Sequence, residues 1–303
     1  MGFRNIMIMG DVTLSLRNNQ LCVSGGNEAS VPLEDVDTVL IESRRSSIST
    51  ALLSEMAKSG TALFLCDEKH IPCAVLTSFM QHSRQLEVSN KQQKLSLPTK
   101  KRLWQQIVTA KIMNQARCLA LRGDYDSASH LESLAKSVRT GDEGNVEAVA
   151  AAYYFPRLFG SKFRRSDENL INACLNYGYS ILRGCIARHL AMYGFLPVFG
   201  LHHSSGLNAF NLADDIIEPF RPVVDLFAAS NIAEADDEEE ELTPWLKREL
   251  LNLINCNILL DSKLYSVSYG IERTVQSLSS VCSEKSKQLL LPELVTLQQH
   301  AYE

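Results

Sequence analysis

A chain of 303 residues that is 45% hydrophobic can bury more than one core. Its longest apolar runs, such as 61–66 and 289–291, fall far short of the roughly 18 to 20 residues that span a bilayer, and residues 1–4 open no signal-peptide h-region, so the expected address is the cytoplasm with no membrane partner. The net charge of −5 speaks against a nucleic-acid partner only until it is divided, because residues 91–225 carry 17 Lys/Arg against 12 Asp/Glu and are basic on their own.

In chain order, 6–9, 13–17, 20–24, 36–42 and 62–66 read as short strands, and Asn18-Asn19 tolerates the positive φ of a tight hairpin. A helix is expected over 49–59, opened by a Ser cap and closed by Gly60. Between 77 and 98 the apolar periodicity fades into Ser, Gln and Asn, the composition of a linker. Beyond it, 103–122, 127–138, 145–158, 170–193, 207–218, 246–257 and 262–279 carry helical periodicity. The acidic run 234–241 repels itself and reads as a solvated loop. The expected fold class is therefore α+β: a small, sandwich-like β-sheet domain over 1–77, a linker over 78–98, and a larger all-α domain over 99–303. Eight cysteines lie in apolar contexts without a CxxC pair, as buried free thiols do.

Two segments carry candidate chemistry. In 144–155 Asn145 is a candidate cap, and Glu147 is the lone carboxylate of an otherwise apolar helix. It shares a face with 150, 151 and 154; by itself it is equally a first-turn acid complementing the helix dipole. In 200–222 Asn211, Asp215 and Glu218 form one helical stripe, Pro219 ends the helix at Glu218, and His202 and His203 lie on the preceding loop. Such stripes are also found simply solvated. Taken together, Glu147, His203 and Glu218 offer oxygen and imidazole ligands without thiolate, which suits Mg²⁺ or Mn²⁺ and thereby phosphate chemistry. Lys100, Lys101, Arg102, Lys111, Arg157, Lys162, Arg164 and Arg165 could hold DNA phosphates, or be ordinary surface charge. No phosphate loop, GxSxG elbow, HExxH helix or dinucleotide glycine pattern competes.

Four stretches, Glu147-Ala-Val-Ala-Ala-Ala-Tyr-Tyr-Phe155, Ile171-Asn-Ala-Cys-Leu-Asn-Tyr-Gly-Tyr179, His203 followed fifteen residues on by Glu218, and Lys247-Arg-Glu-Leu250, carry a likeness. The chain resembles the CRISPR-associated spacer-acquisition integrase, the larger adaptation protein, in the variant found with single-protein RNA-guided effectors. The resemblance implies a homodimer that works with a dimer of a small ferredoxin-like adaptation protein on double-stranded DNA, and with the effector nuclease as a further partner. It implies Glu147, His203 and Glu218 as metal ligands and catalytic residues, with Asp215 and His202 as accessory positions. The expected activity is metal-dependent insertion of short DNA fragments into a repeat array by 3′-hydroxyl attack. A plain metal-dependent DNA endonuclease and a non-catalytic DNA-binding scaffold are the alternatives.

Overall fold

The computed structural model describes residues 2–26, 28–76, 84–232 and 241–301. Strands β1 (Arg4–Ile8), β2 (Thr13–Arg17), β3 (Gln20–Ser24), β4 (Ala29–Pro32), β5 (Val36–Ile41) and β6 (Ser47–Ile48) precede helix α1 (Thr50–Ser59), and β7 (Ala62–Cys66) and β8 (Pro72–Leu76) follow it. They form two four-stranded sheets, β4-β3-β2-β6 and β1-β5-β7-β8. The β2–β3 hairpin turns where expected, with Asn18 and Asn19 at φ 49° and 58°. Helix α1 is capped by Ser49, whose Oγ accepts from Leu52 N at 3.3 Å, and it ends at Gly60 with φ 77°.

Strand β5 (VDTVLI) is buried along its whole length, as a parallel strand covered on both faces must be. Its alternation divides the core. Val39 and Ile41 pack with Leu14, Leu21, Leu52 and Met56 inside the β layer, while Leu40, with Phe64 of β7, joins the core of the helical half. Phe64 reaches so close to the helix it packs on that a Cβ on Gly184 would lie 2.0 Å from its ring.

That half contains α2 (Gln85–Gln93), α3 (Leu97–Leu121), α4 (Tyr125–Ser137), α5 (Val146–Phe159), α6 (Leu170–Met192), α7 (Asn211–Ile216), α8 (Arg221–Asn231), α9 (Pro244–Asn252) and α10 (Val267–Cys282). The expected α+β class holds, and two expectations within it change. The region expected to be all-α also carries β9 (Cys256–Leu260), β10 (Lys263–Ser266) and β11 (Glu293–Gln299), an antiparallel sheet in the order β10-β9-β11. The burial of Cys256–Leu260 alternates with period two, and Asp261 and Ser262 turn the chain at φ 50° and 64°, so the apolar run after α9 is strand rather than more helix. Within 78–98, expected as a linker, lies α2. It lacks an apolar stripe and is tied down instead by Gln92, whose Nε2 donates to the carbonyls of Leu196 and Phe199 at 2.9 Å each. Residues 77–83 and 233–240, and with them most of the acidic run, lie outside the described residues.

The two halves are also pinned by a buried ion pair. Arg188 of α6 donates to the Asp37 carbonyl at 2.9 Å, to Asp37 Oδ1 at 3.1 Å and to the Gly60 carbonyl at 3.2 Å, and Ser268 of α10 donates to Asp37 Oδ2 at 3.0 Å. The cysteines are free, as expected, but Cys22 and Cys66 are only half-buried and Cys73 is exposed. Among the described residues no helix is long and apolar enough to cross a membrane.

Candidate active site

Helix α3 is the spine of the site. Ser96 caps it, accepting from Thr99 N at 3.4 Å, and ten of its side chains are buried between α4, α5, α8 and the sheet of β11. About three turns in from its N-terminal basic cluster it presents Lys111.

Glu147 reaches this helix from the first turn of α5. Asn145 does not cap α5 with its side chain, contrary to expectation, because it sits in the left-handed region at φ 49°. Asp142 takes that role, its two carboxylate oxygens accepting from Val146 N at 2.9 Å and Glu147 N at 3.0 Å. Glu218 comes from the other side. Helix α7 covers only Asn211–Ile216 of the expected 207–218, and Glu218 opens a single 3₁₀ turn with Pro219, where the proline predicts a break.

The two carboxylates meet at one ammonium: Lys111 Nζ lies 2.6 Å from Glu147 Oε1 and 2.5 Å from Glu218 Oε2. Lys111 is therefore a largely buried cation shared by the two carboxylates, an environment that its place in a basic segment does not announce. Burial works against its charge, but Glu218 and Glu147 outweigh it and hold its pKa above the ordinary lysine value. Glu218 Oε1 accepts from Arg221 Nε at 2.9 Å. Although burial opposes ionisation, Lys111 and Arg221 together keep Glu218 below its ordinary pKa. Arg221 lies over the ring of Tyr179, and the hydroxyls of Tyr179 and Tyr154 both donate to Asp225, the Tyr154 bond measuring 3.1 Å. Burial pushes the Asp225 carboxyl up to about 6.

The histidines stand on the loop before α7, and buried Asp215 organises that loop. Its Oδ2 accepts from Leu201 N at 2.5 Å and His202 N at 3.1 Å, and its Oδ1 lies 3.1 Å from His203 N and 2.7 Å from His203 Nδ1. Asn211 of the same stripe donates to the carbonyls of Val198, Ser205 and Asn208. Gly200 lets the loop close, since a Cβ there would lie 2.2 Å from the His203 carbonyl. His202 stacks on Trp104 of α3 at 4.2 Å, so the two histidines are not equivalent. His203 is half exposed, and its pKa is raised, first by the bond to Asp215 against the effect of burial, then by the charges of Asp215, Glu218 and Asp214.

Glu147 and Glu218 are thus brought together, with His203 close enough to feel Glu218 and turned by Nδ1 to Asp215. The three do not close into one ligand set, and among the described residues no group of three or more His, Cys, Asp or Glu side chains does. Of the basic candidates, Lys100 donates to the Gly200 carbonyl at 3.5 Å, Lys101 pairs with Glu143 at 3.0 Å, and Arg102 donates to Thr99 at 3.3 Å. Arg157 covers the ring of Tyr153, Arg164 donates to the Ser161 and Phe163 carbonyls, and Lys162 is exposed. Arg165 donates to Asn172 and Asn176 and faces Tyr179. The parts that sequence reasoning missed are Lys111 as the bridging cation, Arg221 and Asp225. Only Arg221 carried a local signal, its i+3 spacing from Glu218.

Asp215→Asn keeps the size of the side chain but removes the charge that fixes the His203 tautomer. It is expected to lower activity about 10- to 100-fold, in the range seen when a group supporting a liganding histidine is removed. An unchanged catalytic rate constant, measured with the variant at full occupancy, would refute a positioning role for Asp215.

Residues 6–252 match the family described as CRISPR associated protein Cas1. The chain is 43% identical to the CRISPR-associated endonuclease Cas1 of Neisseria meningitidis serogroup C (strain 8013), over 100% of both chains. Its fold is similar to a casposase bound to integration product, with a TM-score of 0.75 at 17% identity, covering 94% of this chain and 92% of that one. It is also similar to a chain of a partial Cas6-RT-Cas1–Cas2 complex, with a TM-score of 0.65 at 19% identity, covering 97% and 100%. With a family match across most of its length and a relative of this similarity from end to end, the chain belongs to the Cas1 family of CRISPR-associated proteins.

Proposed function

We propose that this protein inserts short DNA fragments into a CRISPR repeat array by direct phosphoryl transfer, with Glu147, His203 and Glu218 as its catalytic group. The observation that carries this reading is the convergence of two glutamates from separate elements on a single cation, beside a histidine whose far nitrogen is already engaged. The residues fit a divalent ion. Buried Glu218 Oε2 and Glu147 Oε1 both face the Lys111 ammonium, so the two carboxylates already present oxygens toward one shared cation position. His203, with Nδ1 committed to Asp215, leaves Nε2 as a ligand atom. Glu147, Glu218 and His203 would hold Mg²⁺ or Mn²⁺, which when bound neutralises charge on the scissile phosphate and makes a hydroxyl a better nucleophile.

The chain's own groups orient the reaction. An incoming 3′-oxygen forms a bond to phosphorus as the bond to the departing 3′-oxygen breaks in line, so the number of phosphodiesters is conserved and no energy-rich cofactor is consumed. Lys111 and Arg221 supply positive charge next to the reacting phosphate, and Asp215 holds His203 in one orientation. Tyr154 and Tyr179 are not the nucleophile of this reading: they spend their hydroxyls on Asp225, and burial holds both well above their ordinary pKa.

Double-stranded DNA, a homodimer, a small ferredoxin-like adaptation protein and the effector nuclease are the partners of this reading, as is a catalytic unit over 99–303 beside a β unit over 1–77. The casposase of similar fold is bound to an integration product and the other neighbour belongs to a Cas1–Cas2 complex, which favours strand joining in company with a second protein. The name of the 43% identical relative favours the alternative, endonuclease cleavage with water in place of the 3′-hydroxyl. A labelled fragment incubated with the protein, its small partner and a repeat-containing plasmid separates them. Label joined to plasmid requires integration, and nicked plasmid without joined label would overturn it.

The role of His203 also sets a pH dependence. Its pKa lies above the ordinary 6.5, so the imidazole takes up a proton earlier than usual as the solution is acidified. A ligand must be neutral, so activity at saturating Mn²⁺ is expected to decline as pH falls through the raised value, and to be low by pH 5. A rate that stays level over pH 8 to 5 would remove His203 from the ligand set.

A further inference from the structure

Lys111 stands where the proposed metal centre needs its ion. Its ammonium bridges Glu147 and Glu218, and among the described residues these carboxylates are the partners that hold it. In this form two carboxylates are paired directly with two cations, Lys111 and Arg221, and Asp225 lies near enough to interact with both cations. A dication bound to the same oxygens would lie at contact distance from a buried ammonium, an arrangement that low surrounding polarity makes strongly unfavourable. One of the resident cations must leave, or a negative charge must arrive.

The two cations differ in how they are held. Arg221 is fixed twice, by its Nε bond to Glu218 and by lying 4.4 Å from the Tyr179 ring centroid. Lys111 is a point charge on a flexible stem, with its side chain 13% exposed, and phosphate is a natural alternative partner for such a group.

Resting on the metal-dependent reading above, we propose that Lys111 is the resident counter-ion of the Glu147–Glu218 pair, and that it couples divalent-ion loading to DNA arrival by moving from the carboxylates to a phosphodiester. In the DNA-free protein Lys111 competes with the ion. When a strand reaches the site its phosphate draws the ammonium away and the carboxylates are released for the metal. Linkage makes the effect reciprocal: DNA raises metal affinity by the factor by which metal raises DNA affinity. The device keeps a phosphoryl-transfer centre unloaded until substrate is present.

The test is binding of Mn²⁺, followed by the loss of the free-ion paramagnetic resonance signal, for the wild type, Lys111→Met and Lys111→Gln, each with and without a duplex blocked at its 3′ ends. No strand can be joined, so the readout is independent of turnover. Glu147→Gln identifies the share of binding that belongs to this site. For the wild type, DNA is expected to tighten Mn²⁺ binding about ten-fold or more. Both lysine variants are expected to bind Mn²⁺ without DNA about ten-fold tighter than the wild type, and to gain less than about three-fold from DNA. Lys111→Met is also expected to melt lower than the wild type in chelator and to regain its stability in Mn²⁺, a recovery that a purely structural lysine would not give. Should Lys111→Met fail to fold in chelator, Lys111→Gln carries the comparison. Mn²⁺ bound equally or more weakly by the lysine variants overturns the coupling and leaves the metal reading standing. Failure of the wild type to bind Mn²⁺ at this site even with DNA overturns both.

Discussion

Glu147→Gln and Glu218→Gln are each expected to lower strand transfer by at least about 1000-fold, roughly 4 kcal/mol in barrier, because each keeps its shape while losing the charge that phosphoryl transfer needs beside it. Their effects on stability should differ. The Glu147 side chain is 24% exposed and, among the described residues, pairs with Lys111, which keeps Glu218 when Glu147 is replaced, so the replacement is expected to cost at most about 1 kcal/mol. Glu218 is 6% exposed and balances both Lys111 and Arg221, so losing it leaves two cations without their partner and is expected to cost about 3 kcal/mol. Strand transfer measured at a temperature well below both transitions separates the two consequences. Transfer retained within about ten-fold by both variants, with folding intact, would leave the scaffold alternative standing.

Arg188→Met is expected to have the largest effect on stability, about 3 to 5 kcal/mol, while leaving the active-site side chains in place. Arg188 and Asp37 are 3% and 4% exposed, and the guanidinium answers the Asp37 carboxylate, the Asp37 carbonyl and the Gly60 carbonyl at once. Methionine fills much of the space but strands a buried carboxylate, with the hydroxyls of Ser268 and Thr38 as its remaining side-chain donors. The loss should appear as a fall in melting temperature of about 5 to 8 °C. Adding Asp37→Asn should return part of it, because the charge left unpaired is then gone. A loss below about 1 kcal/mol, or no recovery in the double variant, would show that this pair does not hold the β layer to α6.

Position along the chain explains what could be read early. The Asn18-Asn19 hairpin, the Ser49 cap and the Gly60 stop, the long helices α3 and α6, and the break at Pro219 depend on neighbours a few residues away. So does the stripe of Asn211, Asp215 and Glu218. Helix α2 went unread because its anchor, Gln92, bonds to backbone a hundred residues distant, and nothing in its own composition reports that. Strand β9 follows directly on a helical apolar run, and only its pairing with β10 and β11 decides its state.

The amino-acid sequence by itself determined which local elements form and which residue types are present for chemistry: one carboxylate on an apolar helix, one at a helix break, and histidines on a glycine-bearing loop. Only the tertiary structure decided how those groups meet. A lysine that reads as one more surface charge becomes the bridge between Glu147 and Glu218, and an aspartate of the acidic stripe becomes the acceptor that turns His203. The reason is physical: pattern and capping act over a turn or two of chain, whereas the sign and strength of an ionic contact depend on burial and distance, which exist only once α3, α5 and α7 have packed.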